Sequence, residues 1–406
     1  MRKLGMLFVT ALMTLLTIVP SFGARKKIEV WCTDKEVAGL EPVAREFKKK
    51  NKVEVEIVVQ AEVRSKYKQA AIAKTGPDIV VGAHDWVGEL AKNGVIGEIN
   101  LSNNDKKKYF PVAVEGFTYN GKMYGVPYCV EAEVLFYNKK LISTPPATWE
   151  DLLETAKKMT DGNGKYGFLY GIDNNFYNNF PFIGSQGGYI FKWEQDKGRF
   201  DILDVGLDTP GAIDACNFIY KLVQEGVVPP STNNGVVISS FKDGKVAMIM
   251  DGPWNTKDYV DNMGADVVGI SKLPTLNGKK TVPFVGARGF MLNSASKVQA
   301  DALSFMISFA GEEKGQVAMF KAGGRPPAHI KACEEAKKLD PSVGVVIDSV
   351  MDGVPMPNVK AMAVIFNYAA GMIDKFKTGE QSVENAVKTA VGTIRGELSD
   401  KQARYE

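Results

Sequence analysis

The chain alternates short apolar runs with amphipathic stretches. IEVWC (28–32) is a first apolar run, and EPVAREFKKK (41–50) has apolar positions at helical spacing. VEVEIVV (53–59) alternates at first, as a half-buried strand does. Residues 63–74 read as a helix that packs through Tyr67, Ala70, Ala71 and Ala73. Ile79, Val80 and Val81 follow without alternation, the pattern of a strand covered on both faces. Strand and helix in this rhythm predict parallel strands joined by right-handed crossovers. TYNGKMY (118–124) sets an Asn-Gly turn between aromatic flanks, which predicts a hairpin. Thr148 is placed to cap a helix, with Asp151 three residues on. Pro210 suits the first position of a helix that Gly226 ends. KVAMIM (245–250) is a further buried strand. Two long helical patterns fill the C-terminus, broken at Gly379, with Ser382 as a cap.

Three of the apolar runs end in the same chemistry. Ile79–Val81 leads into Gly82, Ala83, His84, Asp85 and Trp86; KVAMIM leads into Asp251, Gly252, Pro253 and Trp254; IEVWC leads into Thr33, Asp34 and Lys35. Open parallel sheets bind ligands outside the carboxyl ends of their strands. Carboxylates accept hydrogen bonds from hydroxyls, and aromatic rings cover the apolar faces of a sugar. A phosphate would call for a Gly-rich loop of the G-x-x-x-x-G-K-[ST] kind, which the chain lacks. Asp85 and Trp86 are therefore candidates for a hydroxyl acceptor and a stacking surface at the mouth of a cleft. Each candidate has an architectural rival. Asp34 and Asp85 also read as helix caps, and Glu131 as an ion-pair partner. His84 reads as a structural hydrogen-bonder, Trp31 and Trp149 as packing, and Trp193 as surface or hinge-side packing.

Composition narrows the class. The 406 residues suffice for two or three domains, and 45% apolar with 24% charged residues is ordinary for a globular protein. Residues 1–23 have the layout of a secretory signal peptide, cut between Gly23 and Ala24, with an uncleaved anchor as the alternative. The apolar run from Leu4 to Val19 is shorter than the ~20 residues of a membrane span. No Cys follows it closely, so no lipid-anchored N-terminus is expected. Without Arg2 and Lys3 the mature chain keeps 48 basic residues against 47 acidic ones, a formal charge of +1. That gives no reason to expect nucleic acid as a partner. Cys32, Cys129, Cys216 and Cys333 show no C-x-x-C spacing, and two His residues leave little for a metal site. Cys216 reads as a small core residue, and no disulfide is needed at this size. No metal, cofactor or catalytic group is expected.

GPDIVVGAHDWVGEL (76–90), VPYCVEAEVLFYNKKL (126–141), TPPATWEDL (144–152), IGSQGGYIFK (183–192), DGPWN (251–255), VPFVGARGFMLNSAS (282–296) and PMPNVKAM (355–362) occur in an order that resembles maltose-binding proteins, the maltodextrin-type solute-binding proteins of ABC importers. The resemblance runs from about Ile28 to the last helix. It implies an α/β fold of the periplasmic-binding-protein type: two lobes, each with a central β-sheet flanked by helices, joined by crossing hinge segments with the ligand cleft between them. Residues 24–130 and 289–336 are then the N-terminal lobe, and 131–288 and 337–406 the C-terminal lobe. Closure by a hinge is expected.

The resemblance also implies sugar-binding roles, residue by residue. Asp34 and Lys35 match a polar pair that holds hydroxyls, Asp85 a carboxylate, Glu131 a hydroxyl-binding glutamate, and Tyr177 and Trp254 stacking rings. Asn175 stands where the family has a glutamate, Phe366 where it has a stacking tryptophan, and Arg288 and Met356 fall in matched stretches. Two departures fall together: Gly82 replaces a tryptophan and Trp86 an arginine, as if the stacking surface had moved four residues along. Arg64 and Ser65 replace an acidic pair. The function so implied is capture of an α-linked gluco-oligosaccharide, of the maltose, maltotriose or trehalose class, outside the cell or in the periplasm. Its partners are the oligosaccharide and the membrane subunits of an ABC importer, with the mature protein a monomer that does not itself span the membrane. The alternatives are a glycoside hydrolase on the same sugars, using a pair among Asp34, Asp85 and Glu131, or a binding protein for a peptide or polyamine.

Overall fold

A computed structural model describes residues 26–196 and 198–405. The signal-peptide reading therefore lies outside the described residues. The first sheet has parallel strands Glu54–Val59, Lys27–Cys32 and Ile79–Ala83, in that spatial order. Phe284–Leu292 runs antiparallel beside Ile79–Ala83, and Val126–Glu131 pairs along its other side. The second sheet is ordered Val268–Ser271, Val134–Asn138, Val246–Asp251, Tyr166–Leu169. Its Val246–Asp251 and Tyr166–Leu169 strands are parallel, and Val134–Asn138 is antiparallel to both of its neighbours.

Each sheet has its own core. Ile28, Val30, Tyr67, Val80 and Phe290 belong to one buried cluster, and Trp149, Phe168, Phe182, Met248 and Ile373 to another. The chain passes directly from the first sheet to the second: Val126–Glu131 lies in one, Val134–Asn138 in the other, and only Ala132 and Glu133 stand between them. It returns between Ser271 and Phe284. The Phe284–Leu292 strand is unbroken across the expected 288/289 boundary, and Val285 and Ala287 already pack in the first core. Val354–Pro355 adds a short pairing to the start of that strand before the chain enters the Met362–Lys377 helix.

The elements follow local chemistry closely, with one shift. The helix expected over 41–50 begins seven residues earlier, spanning Asp34–Asn51. A capping box explains the early start: Thr33 and Glu36 satisfy each other's backbone donors. Pro42 is tolerated inside, so the helix carries one missing backbone bond. The Asn120-Gly121 turn has φ 48° and 75°, the left-handed pair a tight hairpin requires. Thr148, Thr209 and Ser382 each cap a helix through the side chain. All four cysteines are buried and unpaired. No helix among the described residues is long and apolar enough to cross a membrane.

Candidate functional site

The two tryptophan turns are built alike. After Ile79–Ala83 the chain makes one tight turn, His84–Trp86, and then the helix Val87–Lys92. A side chain at Gly82 would overlap the Trp86 ring, so the indole lies folded back across the strand end. After Val246–Asp251 the turn Pro253–Asn255 does the same, with the Trp254 ring lying over Gly252. Glycine is required at both places because the ring occupies the volume of a β-carbon. The indole of Trp86 reaches back into the space above Gly82 and is buried with the first core.

Asp85 is buried, and its carboxylate accepts from the Arg64 guanidinium at 3.1 Å. The same guanidinium reaches Glu89 at 3.3 Å and lies 5.8 Å from the Trp86 ring centre. Arg64 therefore supplies a cation to the Asp85–Trp86 turn. His84 fixes that turn from behind. Its Nδ1 accepts from the Ala287 amide at 3.1 Å, which leaves Nε2–H to donate to the Met356 carbonyl at 2.9 Å. Met356 is buried, and Asn358 donates to the carbonyls of Gly116 and Thr118. The PMPN stretch is thus tied to the first lobe through the Met356 carbonyl and the Asn358 side-chain amide.

In the second lobe, Tyr177 is half-buried and contacts Trp254 edge-on at 6.2 Å and Phe284 at 5.7 Å. Burial pushes its hydroxyl well above the ordinary phenol value, with Glu133, Glu131, Asp85 and Asp251 adding to the effect. Its contact with Phe284, the first residue of a first-sheet strand, sets Tyr177 beside the return passage between the sheets. Phe366 touches Phe176 at 6.3 Å, behind this aromatic wall. The Asn175 amide oxygen accepts from the Asn178 amide and so shapes the Tyr177 turn.

Glu131 and Arg288 are brought together in a buried network. Arg325 donates to Glu131 at 2.5 Å, and Glu36 lies 2.8 Å from Arg288 and 3.6 Å from Arg325. Tyr128 donates to Glu36 at 3.4 Å. Burial pushes the Glu36 carboxyl up, but Arg288, Arg325 and the Thr33 hydrogen bonds outweigh it and hold the group below its ordinary value. Asp34 is exposed in the first helical turn, and Lys35 flanks a narrow crevice against Glu36, Tyr128 and Arg325.

Sequence reasoning missed Glu36, whose signal was the T-x-x-E capping box. It also passed over Glu133, which lies just before the Val134–Asn138 strand, and named Asp251 at its strand end without assigning it to the ligand. Asp251 accepts from Asn255 at 2.8 Å and from the Tyr259 hydroxyl, and burial pushes its carboxyl above the ordinary value. Trp149 is fully buried and donates to Thr281, whereas Trp193 is exposed against Phe200. No group of three or more His, Cys, Asp and Glu side chains among the described residues is arranged to hold a metal ion.

A fold of two α/β lobes, with acidic and aromatic side chains gathered at strand ends, defines a solute-binding protein. Residues 43–341 match the model of the bacterial extracellular solute-binding proteins, and the chain belongs to that family. Among its relatives is the galactooligosaccharide-binding protein of Bacillus subtilis, 28% identical over 386 residues, covering 93% of this chain and 90% of that protein. The maltodextrin-binding protein of the same organism is 27% identical, covering 90% and 88%. The maltotriose-binding protein of Pyrococcus abyssi is 31% identical over 239 residues, covering 57% of this chain and 50% of that protein.

Proposed function

We propose that the chain captures a neutral α-linked gluco-oligosaccharide between its lobes, closes on it about the passages between the two sheets, and presents it to an ABC importer. The carrying observation is the pair of glycine-seated tryptophans, one at a strand end of each sheet, with Tyr177 among carboxyl groups from both sides. Rings of this kind stack on sugar faces, and charged acceptors bind hydroxyls strongly. Asp34, Lys35, Asp85, Trp86, Glu131, Asn175, Tyr177, Trp254, Arg288, Met356 and Phe366 are the residues assigned to the ligand. Within that set, Asp85, Trp86, Tyr177 and Trp254 face it directly. Asn175 and Phe366 support the wall, and Glu131 and Arg288 act through their shared network. Relatives named for maltodextrin and maltotriose support the α-gluco reading.

A second reading is a galacto-oligosaccharide, because the relative named for that ligand covers 93% of the chain. A hydrolase is disfavoured: Asp85 and Glu131, two of the carboxylates it would need, are each engaged by an arginine. The lobes proposed are 24–130 with 289–336, and 131–288 with 337–406, with the unbroken Phe284–Leu292 strand lying in the first sheet across the 288/289 boundary. The protein acts as a monomer outside the cell or in the periplasm, after removal of residues 1–23. A thermal-shift panel of maltose, maltotriose, trehalose and a galacto-oligosaccharide tests the ligand class, because a bound sugar raises the unfolding midpoint by mass action. A shift with the gluco-sugars is expected. A shift with the galacto-oligosaccharide alone would replace the α-gluco reading. Sugar recovered intact after long incubation is expected; glucose released above a protein-free blank would overturn the binding-only reading.

A further inference from the structure

Glu133 is one of the two residues that link the sheets, and its side chain is fully buried. Neither of its carboxyl oxygens has a hydrogen-bond partner among the described residues. That is costly for any buried polar group, and it contrasts with its neighbours. Glu131 has Arg325, Asp85 has Arg64, and Asp251 has Asn255 and Tyr259. The backbone of Glu133 is held, since Ser349 donates to its carbonyl at 2.8 Å. Only the carboxyl lacks a partner.

Its position just before the second sheet is next to the Trp254 turn. The next residue, Val134, pairs with Asp251, the last residue of the strand that leads into the Trp254 turn. Glu133 thus stands at the end of the second sheet from which Trp254 projects. Among the charged groups acting on the Tyr177 hydroxyl, Glu133 acts most strongly, ahead of Glu131, Asp85 and Asp251.

We propose that the Glu133 carboxyl is a polar contact for the ligand itself, at the floor of the cleft beside Tyr177 and Trp254, reading a hydroxyl of a neutral sugar. This rests on the sugar-binding reading given above. Burial, with the nearby Asp251 carboxylate adding to it, pushes the Glu133 carboxyl well above its ordinary value. In the protonated form that this shift favours, the carboxyl offers one O–H donor and one carbonyl acceptor. A sugar hydroxyl both accepts and donates, and so satisfies both. An anionic ligand such as a sugar phosphate or uronate would instead meet the carboxyls of Glu133 and Asp251, which no arginine engages among the described residues. The chemical class assigned to this floor is therefore a neutral polyol face.

The test compares parent, Glu133→Gln and Glu133→Leu by calorimetric titration with maltotriose at neutral pH, beside unfolding curves of the free proteins. Glutamine keeps a donor and an acceptor in the same shape, and should bind within a few-fold of parent. Leucine removes both, and should weaken maltotriose about tenfold or more, as loss of a buried hydrogen-bonding group does, while unfolding no more easily than parent. If parent binds maltotriose and the leucine variant binds equally well, Glu133 is architecture and the proposal fails. If affinity falls only in step with lost folding stability in both variants, it also fails. If parent binds no neutral sugar at all, the sugar-binding reading falls, and this proposal with it.

Discussion

At the residue scale, the molecule separates carboxylates by what they face. Asp85 is buried at a strand end with an arginine on one side. Hydrogen bonds from hydroxyls to a charged group contribute ~1.5–3 kcal/mol. Asp85→Ala should therefore weaken sugar binding about 10- to 100-fold by calorimetry; if Asp85 only capped the turn, folding stability would fall by ~0.5–2 kcal/mol and affinity would hold. Glu36 and Glu133 carry opposite pH signatures. The Glu36 carboxyl is held below its ordinary value, so its stabilisation is present above that value and is lost as pH falls through the folded-state value. Removing it leaves Arg288 and Arg325 buried and short of a partner, and Glu36→Ala should cost about 3–5 kcal/mol in denaturant unfolding. The Glu133 carboxyl is raised, so the folded state keeps a proton that the unfolded chain releases. Its contribution to stability therefore falls as pH rises from the ordinary glutamate value toward the folded-state value. Glu133→Gln should remove that slope, and its unfolding midpoint relative to parent should rise with pH across the window.

At the element scale, the informative unit is an apolar strand, a glycine and a tryptophan one turn later. The ring folds over the glycine, so the two residues are one device. Gly252→Ala places a methyl group where the Trp254 indole lies. It should displace the ring and lower sugar affinity about as much as Trp254→Ala, on the order of 1–3 kcal/mol. The check is titration together with tryptophan emission; an unmoved indole and unchanged affinity would show that the glycine is incidental. This unit was legible in the sequence because each part has a local signature: an unalternating apolar run, a turn residue and an aromatic ring. The substitution of Gly82 and Trp86 was legible as a pair, yet the reason for it was not, since that needs the direction of the ring. The early start of the Asp34–Asn51 helix was written in Thr33 and Glu36, and Pro42 obscured it. The Glu36–Arg288–Arg325–Glu131 network was not legible. Its members lie up to 289 positions apart, and they meet through tertiary contacts: Phe284–Leu292 pairs with Val126–Glu131, Pro327 bridges to Cys129, and the Asp34–Asn51 helix brings Glu36.

At the scale of the whole molecule, two cores joined by short passages make a hinge the natural motion. Nothing in this architecture depends on disulfides, because all four cysteines are buried and unpaired. Adding reductant should leave the unfolding midpoint of the free protein unchanged, whereas reduction of a hidden disulfide would lower the midpoint through a loss of several kcal/mol of stability. Closure on a ligand should draw the lobes together, with Tyr177 and Trp254 on one side and Asp85 and Trp86 on the other. The most direct measurement of this account is a calorimetric titration of the mature protein with maltotriose, run beside Asp85→Ala and Trp254→Ala. The account predicts saturable one-to-one binding by the parent, with affinity reduced at least about tenfold in each variant while both still fold. Absence of binding by the folded parent, or parental affinity in both variants, would contradict it.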